Sequence, residues 1–497
     1  MTMTVPGLDL VLRSVVEHGG SAYALARTPA GMRLAVLAPA DALGGFEGEC
    51  SLHDTRTLLL GPLSPRNAAT LRAQLPWLNP RPLGLRTSAG LGDRLGLATP
   101  GHVRAVRAAG GGIAPIFAQQ SIREMARTSR TPQQVMDDAT WGIFQEGWAE
   151  GVGADADHLK VPADIDECLA AGYTFFTVDP GAHVDGRAEH ASPSDLRAAA
   201  EQLPLDVQPR ATGLLGRTFD VEGHRLHFDE HTLLKATAKY GRAVAHVAVM
   251  YRHLIAAAGE RPCELEVSVD ETEEPTSHAE HLYLASELRR LGVHWVSLAP
   301  RYVGRFEKGV DYISPAGDVG DAAAFEADFS VHAAIARQFG PYKLSLHSGS
   351  DKFSIYPISA RLARGLVHLK TAGTSYLEAL RTIAALDPEL FREIYAFARA
   401  HFETDRASYH VSARLERAPE AGAPDGGALP GLLDQFDARE ILHVTFGSVL
   451  TDRWPDGALR FYERFMGLLR ANPELYAANL ERHFTRHLQP FRGLRIA

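Results

Sequence analysis

The chain is 497 residues long, which points to one large decorated domain or about two to three smaller ones. Hydrophobic residues at 45% and charged residues at 22% match a folded globular protein and exclude whole-chain disorder. Lys+Arg 51 against Asp+Glu 60, a net charge of −9, lacks the basic surplus of a nucleic-acid binder, so no nucleic-acid partner is expected.

Cys50, Cys168 and Cys263 are too scattered for a disulfide framework or a thiolate zinc site, and a reducing, cytoplasmic compartment is expected. Met1–Leu12 lacks the charged start and apolar core of a secretion signal. The most apolar stretches, such as Ala243–Tyr251, fall far short of the ~18 residues of a membrane span. No membrane partner is expected.

Residues 1–80 read as an N-terminal α/β appendage. Ser21–Arg27 and Met32–Leu37 alternate as strands around the turn signal Thr28-Pro-Ala-Gly31, and Asn67–Leu75 reads as a short helix. From Leu83 the pattern changes to short strand-like runs that feed helices. The runs are Leu83–Thr87, Gly112–Ser121, Asp155–Lys160, Tyr173–Asp179, Cys263–Asp270, His294–Ala299, Tyr342–His347 and Leu366–Thr371. Helical patterns fall between them at Pro132–Glu150, Pro162–Ala171, His278–Leu291 and Ala322–Gln338. Strand–helix alternation implies parallel pairing through crossover helices. Eight such runs favour a closed (β/α)8 TIM-type barrel over 81–450. An open doubly wound sheet is the alternative, disfavoured because no Gly-rich dinucleotide fingerprint is present.

Two excursions decorate the barrel. Residues 186–228 separate the fourth and fifth runs and contain a hairpin pattern around Glu222-Gly223; 301–320 follow the sixth run. The chain beyond Ser375 reads as mostly helical, with a Pro/Gly/Ala loop over Ala418–Pro430 and a helical extension over 451–497.

In a barrel the site lies at the C-terminal ends of the strands, and strand alternation assigns the faces. Glu266, Ser268 and Asp270 share one face of the fifth run; Lys343, Ser345 and His347 share one face of the seventh. His368 and Lys370 on the eighth, His158 and Lys160 on the third, and Thr177 and Asp179 on the fourth do the same. Burying such groups unpaired costs several kcal/mol each, of order 2–7. They therefore imply mutual ion pairing, a metal, or a polar substrate. An imidazole-plus-carboxylate set suits zinc, manganese, nickel or cobalt, with Glu266, His347 and His158 as the expected ligands. A purely ionic interior with Lys160 and Lys370 as counterions is the alternative. His278-Ala-Glu-His281 could pair two imidazoles on a helix face, but an ordinary helix surface explains it as well.

Three loops can meet substrate. Gly90-Leu-Gly-Asp-Arg-Leu-Gly96 follows the first run and could hold an anion through its backbone, with Asp93 and Arg94 as contacts; a plain structural turn is the alternative. His347-Ser-Gly-Ser-Asp-Lys352 offers Ser348 and Lys352 after the seventh run, and Gln119-Gln120-Ser121 ends the second, with Gln120 as the expected contact.

Several segments also resemble the tagaturonate epimerase family. They are Gly92-Asp-Arg-Leu-Gly-Leu-Ala-Thr-Pro-Gly-His102, Asp155-Ala-Asp-His-Leu-Lys160, Val269-Asp-Glu-Thr272 and Tyr342-Lys-Leu-Ser-Leu-His-Ser-Gly-Ser-Asp-Lys-Phe-Ser354. The likeness spans roughly residues 83–450. It implies a metal-dependent barrel enzyme that interconverts D-tagaturonate and D-fructuronate in hexuronate catabolism, with tagatose 4-epimerase activity among relatives. Such substrates differ at the carbinol carbon β to the ketone, where the C–H bond is not acidic. Retro-aldol cleavage and re-addition is favoured over transient oxidation, because no nicotinamide fingerprint is present. Asp270 and Asp179 are then the expected proton carriers, and Lys160, Lys370 or Arg94 would hold the substrate carboxylate. A metal-dependent aldolase or aldose–ketose isomerase, or a non-catalytic sugar-binding protein, are the competing functions.

Overall fold

The computed structural model describes residues 3, 5–371, 373–420, 422 and 426–494. The N-terminal segment forms an antiparallel sheet in which Ser21–Thr28 pairs with Gly31–Ala38 across the expected turn, Thr28 opposite Gly31. The helix Pro65–Gln74 follows, opened by Ser64, whose hydroxyl accepts the Asn67 N–H. Its Arg72 reaches across to Asp137 at 2.9 Å and Thr140 at 2.8 Å, which ties the appendage to the barrel.

The barrel closes from eight parallel strands: β1 Ser88–Gly90, β2 Ala114–Ser121, β3 Gly153–Leu159, β4 Phe175–Val178, β5 Glu264–Ser268, β6 Ser297–Ala299, β7 Lys343–Leu346 and β8 Val367–Lys370, with β8 paired back onto β1. Each strand feeds a helix: α1 Thr99–Ala109, α2 Pro132–Gln145, α3 Pro162–Ala171, α4 Glu230–Ala258, α5 His278–Arg290, α6 Ala323–Gln338, α7 Tyr356–Ala363 and α8 Thr374–Leu386. The apolar core lies between the strands and this ring of helices, and includes Val178, Leu265, Val267, Leu344 and Leu369. The fold is a TIM-type (β/α)8 barrel, as the alternation indicated.

The insertion after β4 carries short helical turns and the hairpin Thr218–Val221/His224–His227. Glu222 and Gly223 both have positive φ, 51° and 90°, as a tight hairpin turn demands. Beyond α8 come α9 Pro388–Asp405, α10 Phe436–Val444 and α11 Pro473–Leu488. No helix among the described residues is long and apolar enough to cross a membrane.

Three boundaries differ from expectation. The first strand is Ser88–Gly90, not Leu83–Thr87: the Leu83 and Gly84 N–H groups go to the Glu264 carboxylate rather than to a neighbouring strand. The small residues of β1 carry no β signal, yet a Cβ at Gly90 would meet Gln119 at 3.0 Å. Helix α2 stops at Gln145, not Glu150, because Gly147 turns to φ 59° where the Arg13 carbonyl crosses within 2.2 Å of a would-be Cβ. The loop expected over 418–430 falls partly outside the described residues, and Gly426–Asp434 winds as a 3-10 helix.

Candidate active site

Strand β3 does not keep strict alternation. Its pairing with β4 slips between Phe176 and Val178, and His158 adopts φ 56°. This bulge lets Asp155, Asp157 and His158 all serve the interior while Leu159 stays in the core. Lys160 is thrown onto the rim, its side chain 54% exposed, where it pairs with Asp179 at 3.2 Å.

Lys370 occupies the centre of the barrel. Its Nζ lies 2.9 Å from Asp155, 2.7 Å from Asp157, 2.8 Å from Glu266 and 2.7 Å from Thr177. Burial alone would discharge it, but these carboxylates hold its pKa well above the usual lysine range. It is a fixed cation, not a proton acceptor. Beneath it, Lys343 donates to Ser88 at 3.0 Å, and Ser88 contacts His368 Nδ1 at 2.8 Å.

Two carboxylate–imidazole pairs stand above Lys370. Asp157 Oδ1 binds His158 Nδ1 at 2.8 Å, and Glu266 Oε1 binds His347 Nε2 at 2.7 Å. Each pair leaves one ring nitrogen directed at Asp270: His347 Nδ1 is 3.1 Å and His158 Nε2 is 3.6 Å from Asp270 Oδ1. Glu271 Oε1 is 3.7 Å from the same His158 nitrogen. Ser268 also bonds to the Asp270 carboxylate. Burial works against charge on Asp157, Asp270 and Glu266, yet the neighbouring cations hold all three pKa values well below the carboxylate range. Burial likewise opposes charge on the imidazoles. Asp157 nonetheless raises His158 well above its usual range, and Asp270 foremost lifts His347 to about 9.

These residues fit a divalent cation. Among the described residues, the buried His158 Nε2 has no hydrogen-bond partner. It converges with His347 Nδ1 and Asp270 Oδ1 as an N/O donor set, while a carboxylate orients the opposite nitrogen of each ring, the outer-sphere arrangement typical of metal-bound histidine. Asp157, His158 and His347 also bring one donor each within 4.8 Å of one another.

A cavity of about 420 Å³ opens over this cluster, lined by Asp270, Glu271, His347 and Ser348 together with Arg123, Arg301, Tyr302 and Lys308 from surrounding loops. Arg123 is paired with Glu271. Arg301 is different: its Nε and Nη1 touch only the backbone carbonyls of Thr272 and Tyr302, at 3.3 and 3.4 Å. Among the described residues no carboxylate forms an ion pair with it, and burial lowers its pKa.

The structure brings His158, His347, Asp270, Glu266 and Lys370 together, with Ser348 on the cavity wall, but Lys370, expected to act on the substrate or hold its carboxylate, is spent on Asp155, Asp157 and Glu266 below the cavity. Glu266 stands behind His347 rather than beside it, its Oε1 shared among Lys370, His347 and Thr177. Five other expected contacts are engaged elsewhere. Gln120 turns outward to Thr128 and Arg130, and Gln119 takes the inward position, donating to Asp157 at 3.2 Å. Asp93 caps its own loop through the Leu95, Gly96 and Ala98 N–H groups. Arg94 is buried against Glu124 and the Phe446 ring. Lys352 is buried, its ammonium held by the carbonyls of Glu307, Val310 and Ser350. Asp179 accepts from Gly181 N–H and faces Lys160, although its carboxylate comes within 4.8 Å of His158 and Glu271. Sequence reasoning missed the roles of Asp155, Asp157, Glu271 and Arg301.

A closed parallel barrel with ionisable groups converging under a cavity at the strand C-termini defines a TIM-barrel enzyme. A family model described as tagaturonate epimerase matches residues 12–491. A tagaturonate/fructuronate epimerase from Thermotoga maritima is 47% identical over 428 residues, covering 86% of this chain and 85% of that protein. The native crystal structure of the fructuronate-tagaturonate epimerase UxaE from Cohnella laeviribosi superposes with a TM-score of 0.91 at 38% identity, covering 98% of this chain and 97% of that one. A glycerol complex of the same enzyme superposes equally well, TM-score 0.91. The chain belongs to the tagaturonate epimerase family, and it is an isomerase, a carbohydrate epimerase.

Proposed function

We propose that this enzyme interconverts D-tagaturonate and D-fructuronate by retro-aldol cleavage and re-addition, with a divalent cation at the barrel mouth. The observation that carries the reading is the convergence of His158 Nε2 and His347 Nδ1 on Asp270 under a cavity that Arg301 also lines, with no carboxylate paired to it among the described residues. The Thermotoga and Cohnella relatives, named for these two sugars, supply the substrate.

His158, His347 and Asp270 would hold the cation. When bound, it would supply Lewis-acid stabilisation of negative charge on the ketone and adjacent hydroxyl oxygens. Arg301 would anchor the substrate carboxylate: among the described residues its guanidinium meets two backbone carbonyls and pairs with no carboxylate. Glu271 would take the proton from the hydroxyl on the β carbon. The bond between the α and β carbons then breaks: its electron pair becomes the enediolate of the ketone fragment, and the β carbon becomes an aldehyde. Rotation of the aldehyde presents its other face, the bond reforms, and a proton returns to the new alkoxide. Asp179, within 4.8 Å of Glu271, would start the turnover protonated and give its proton in that return, and the proton taken by Glu271 would pass back to Asp179 to reset the pair. Lys370 keeps Asp157 and Glu266 ionised, so that they can orient the two imidazoles.

The test uses substrate deuterated at the epimerised carbon. In the retro-aldol route the C–D bond is never broken, so product retains all its deuterium and the rate shows no primary isotope effect. A primary isotope effect at that position would replace this reading with transient oxidation.

A further inference from the structure

A second cluster of imidazoles lies outside the barrel mouth, between the outer helices α5 and α6. His278 opens α5; Asp328 and His332 stand one turn apart on α6. His278 Nε2 is 3.0 Å and His332 Nε2 is 3.5 Å from Asp328 Oδ1. One donor atom from each residue lies within 4.8 Å of the others. Ligands around a tetrahedral zinc, with bonds of ~2.0–2.1 Å, stand roughly 3.3–3.4 Å apart, so the spacing suits an ion.

We propose that His278, Asp328 and His332 form a second divalent-cation site, taking zinc, cobalt or nickel, that braces the loop carrying Arg301 and Tyr302. Four observations carry this. His332 is fully buried, yet among the described residues its Nε2 has no hydrogen-bond partner, and it faces Asp328 at 3.5 Å. Its other nitrogen is held from behind: His332 Nδ1 is 2.8 Å from His281 Nδ1, and His281 Nε2 is 2.8 Å from the Tyr342 hydroxyl. If His332 Nδ1–H donates to His281, and His281 Nε2–H to Tyr342, His332 Nε2 carries a free lone pair toward the cluster. That is the outer-sphere support a metal-bound histidine needs. Third, among the described residues the only ion-pair partners of Asp328 are His278 and His332; no arginine or lysine pairs with it. Fourth, the His278 side chain is 31% exposed, which gives an ion a way in.

The buried cluster of Asp351, His483 and His487 makes the contrast. There Arg439 pairs with Asp351 at 3.0 Å and His487 Nε2 already accepts the Asp351 N–H, so the carboxylate has a fixed cation and only His483 Nε2 is left without a hydrogen bond among the described residues.

The site connects to the cavity. Asp328 Oδ2 accepts the Val303 N–H at 3.2 Å, and the Tyr302 ring stands edge-on to His332 at 5.5 Å. Tyr302 and Arg301 both line the cavity. A cation drawing Asp328 and His332 together would hold this wall in place.

The test uses cobalt(II) alone, added to chelator-treated full-length protein, with binding read by its visible absorption and by metal content after gel filtration. In a His158→Ala background, which removes an imidazole from the barrel mouth, one equivalent of cobalt is expected to remain bound. Adding His278→Ala should weaken that binding by at least about tenfold, the lower end of what loss of even a supporting residue costs. Asp328→Asn should do the same. The melting temperature of the metal-free His278→Ala protein should equal that of its parent, and cobalt should raise the parent's alone. Absence of cobalt binding in the His158→Ala protein, or binding indifferent to both His278→Ala and Asp328→Asn, would overturn the assignment. Neither outcome depends on which sugar the enzyme uses.

Discussion

Glu266 accepts a hydrogen bond from His347 Nε2 at 2.7 Å, and that contact decides which nitrogen of His347 faces the cavity. With Nε2 committed, Nδ1 is the donor left for a cation. Glu266→Gln keeps the hydrogen bond but removes the charge that makes the ring a strong donor. Metal affinity at the barrel mouth should fall by about 10–100-fold. Competition against a chromophoric chelator measures this, and an unchanged affinity would return Glu266 to a purely structural role.

As the proposed carboxylate anchor, Arg301 would separate acidic from neutral substrates. A charge-assisted hydrogen bond contributes about 1.5–3 kcal/mol, or roughly 10–100-fold. Arg301→Gln should lower kcat/KM for the ketouronate by that factor and leave turnover of a neutral ketohexose within about twofold. Equal losses on both substrates would show that Arg301 shapes the wall without reading the carboxylate.

Lys370 holds the interior together electrostatically. Lys370→Met leaves Asp155, Asp157 and Glu266 facing one another without their shared cation. Breaking a buried ion network from one side typically costs about 3–5 kcal/mol. Urea unfolding should show a loss of that order at neutral pH. A metal bound above would offset part of it, so the comparison belongs on chelator-treated protein.

Glu440 makes stability depend on pH. Its carboxyl is buried beside Glu307, and its Oε2 accepts the Ala413 N–H at 2.9 Å. Burial, then the Glu307 carboxylate, pushes its pKa up to about 9. An unfolded glutamate titrates near about 4.3. The folded state therefore holds the extra proton across this window. The stabilisation is complete below the unfolded value and drains away as pH rises toward 9. Glu440→Gln, which mimics the protonated carboxyl, should flatten the fall in melting temperature between about pH 6 and 9. A variant with the same slope as the parent would place the titration elsewhere.

Much of the barrel was legible because parallel strands buried on both faces leave a distinct trace. Leu265, Val267 and Val269 against Glu266, Ser268 and Asp270 read correctly as core face and interior face. The same logic failed at β3. A bulge breaks the period of two, so Lys160 was placed inside when the kink at His158 sends it to the rim. The trace that could have found Asp155 and Asp157 was their alternation with Ala154 and Ala156, which are fully buried. Gln119 and Gln120 differ by one position, and only the β2–β3 register, Gln119 opposite Asp157's neighbour Asp155, decides between them. Arg301 was invisible for another reason. It arrives on an irregular loop after β6, where no periodicity assigns a direction, and what marks it, the lack of a carboxylate partner among the described residues, only three dimensions reveal.

The central claim is epimerisation of a ketouronate at a metal-bearing barrel mouth. The direct measurement is conversion of D-tagaturonate followed by NMR, before and after chelation and after return of zinc, manganese, nickel or cobalt. The account predicts that D-fructuronate forms, that chelation stops it, that at least one metal restores it, and that His347→Ala abolishes restoration. Undiminished conversion by protein shown to be free of metal, or full activity in His347→Ala, would contradict it.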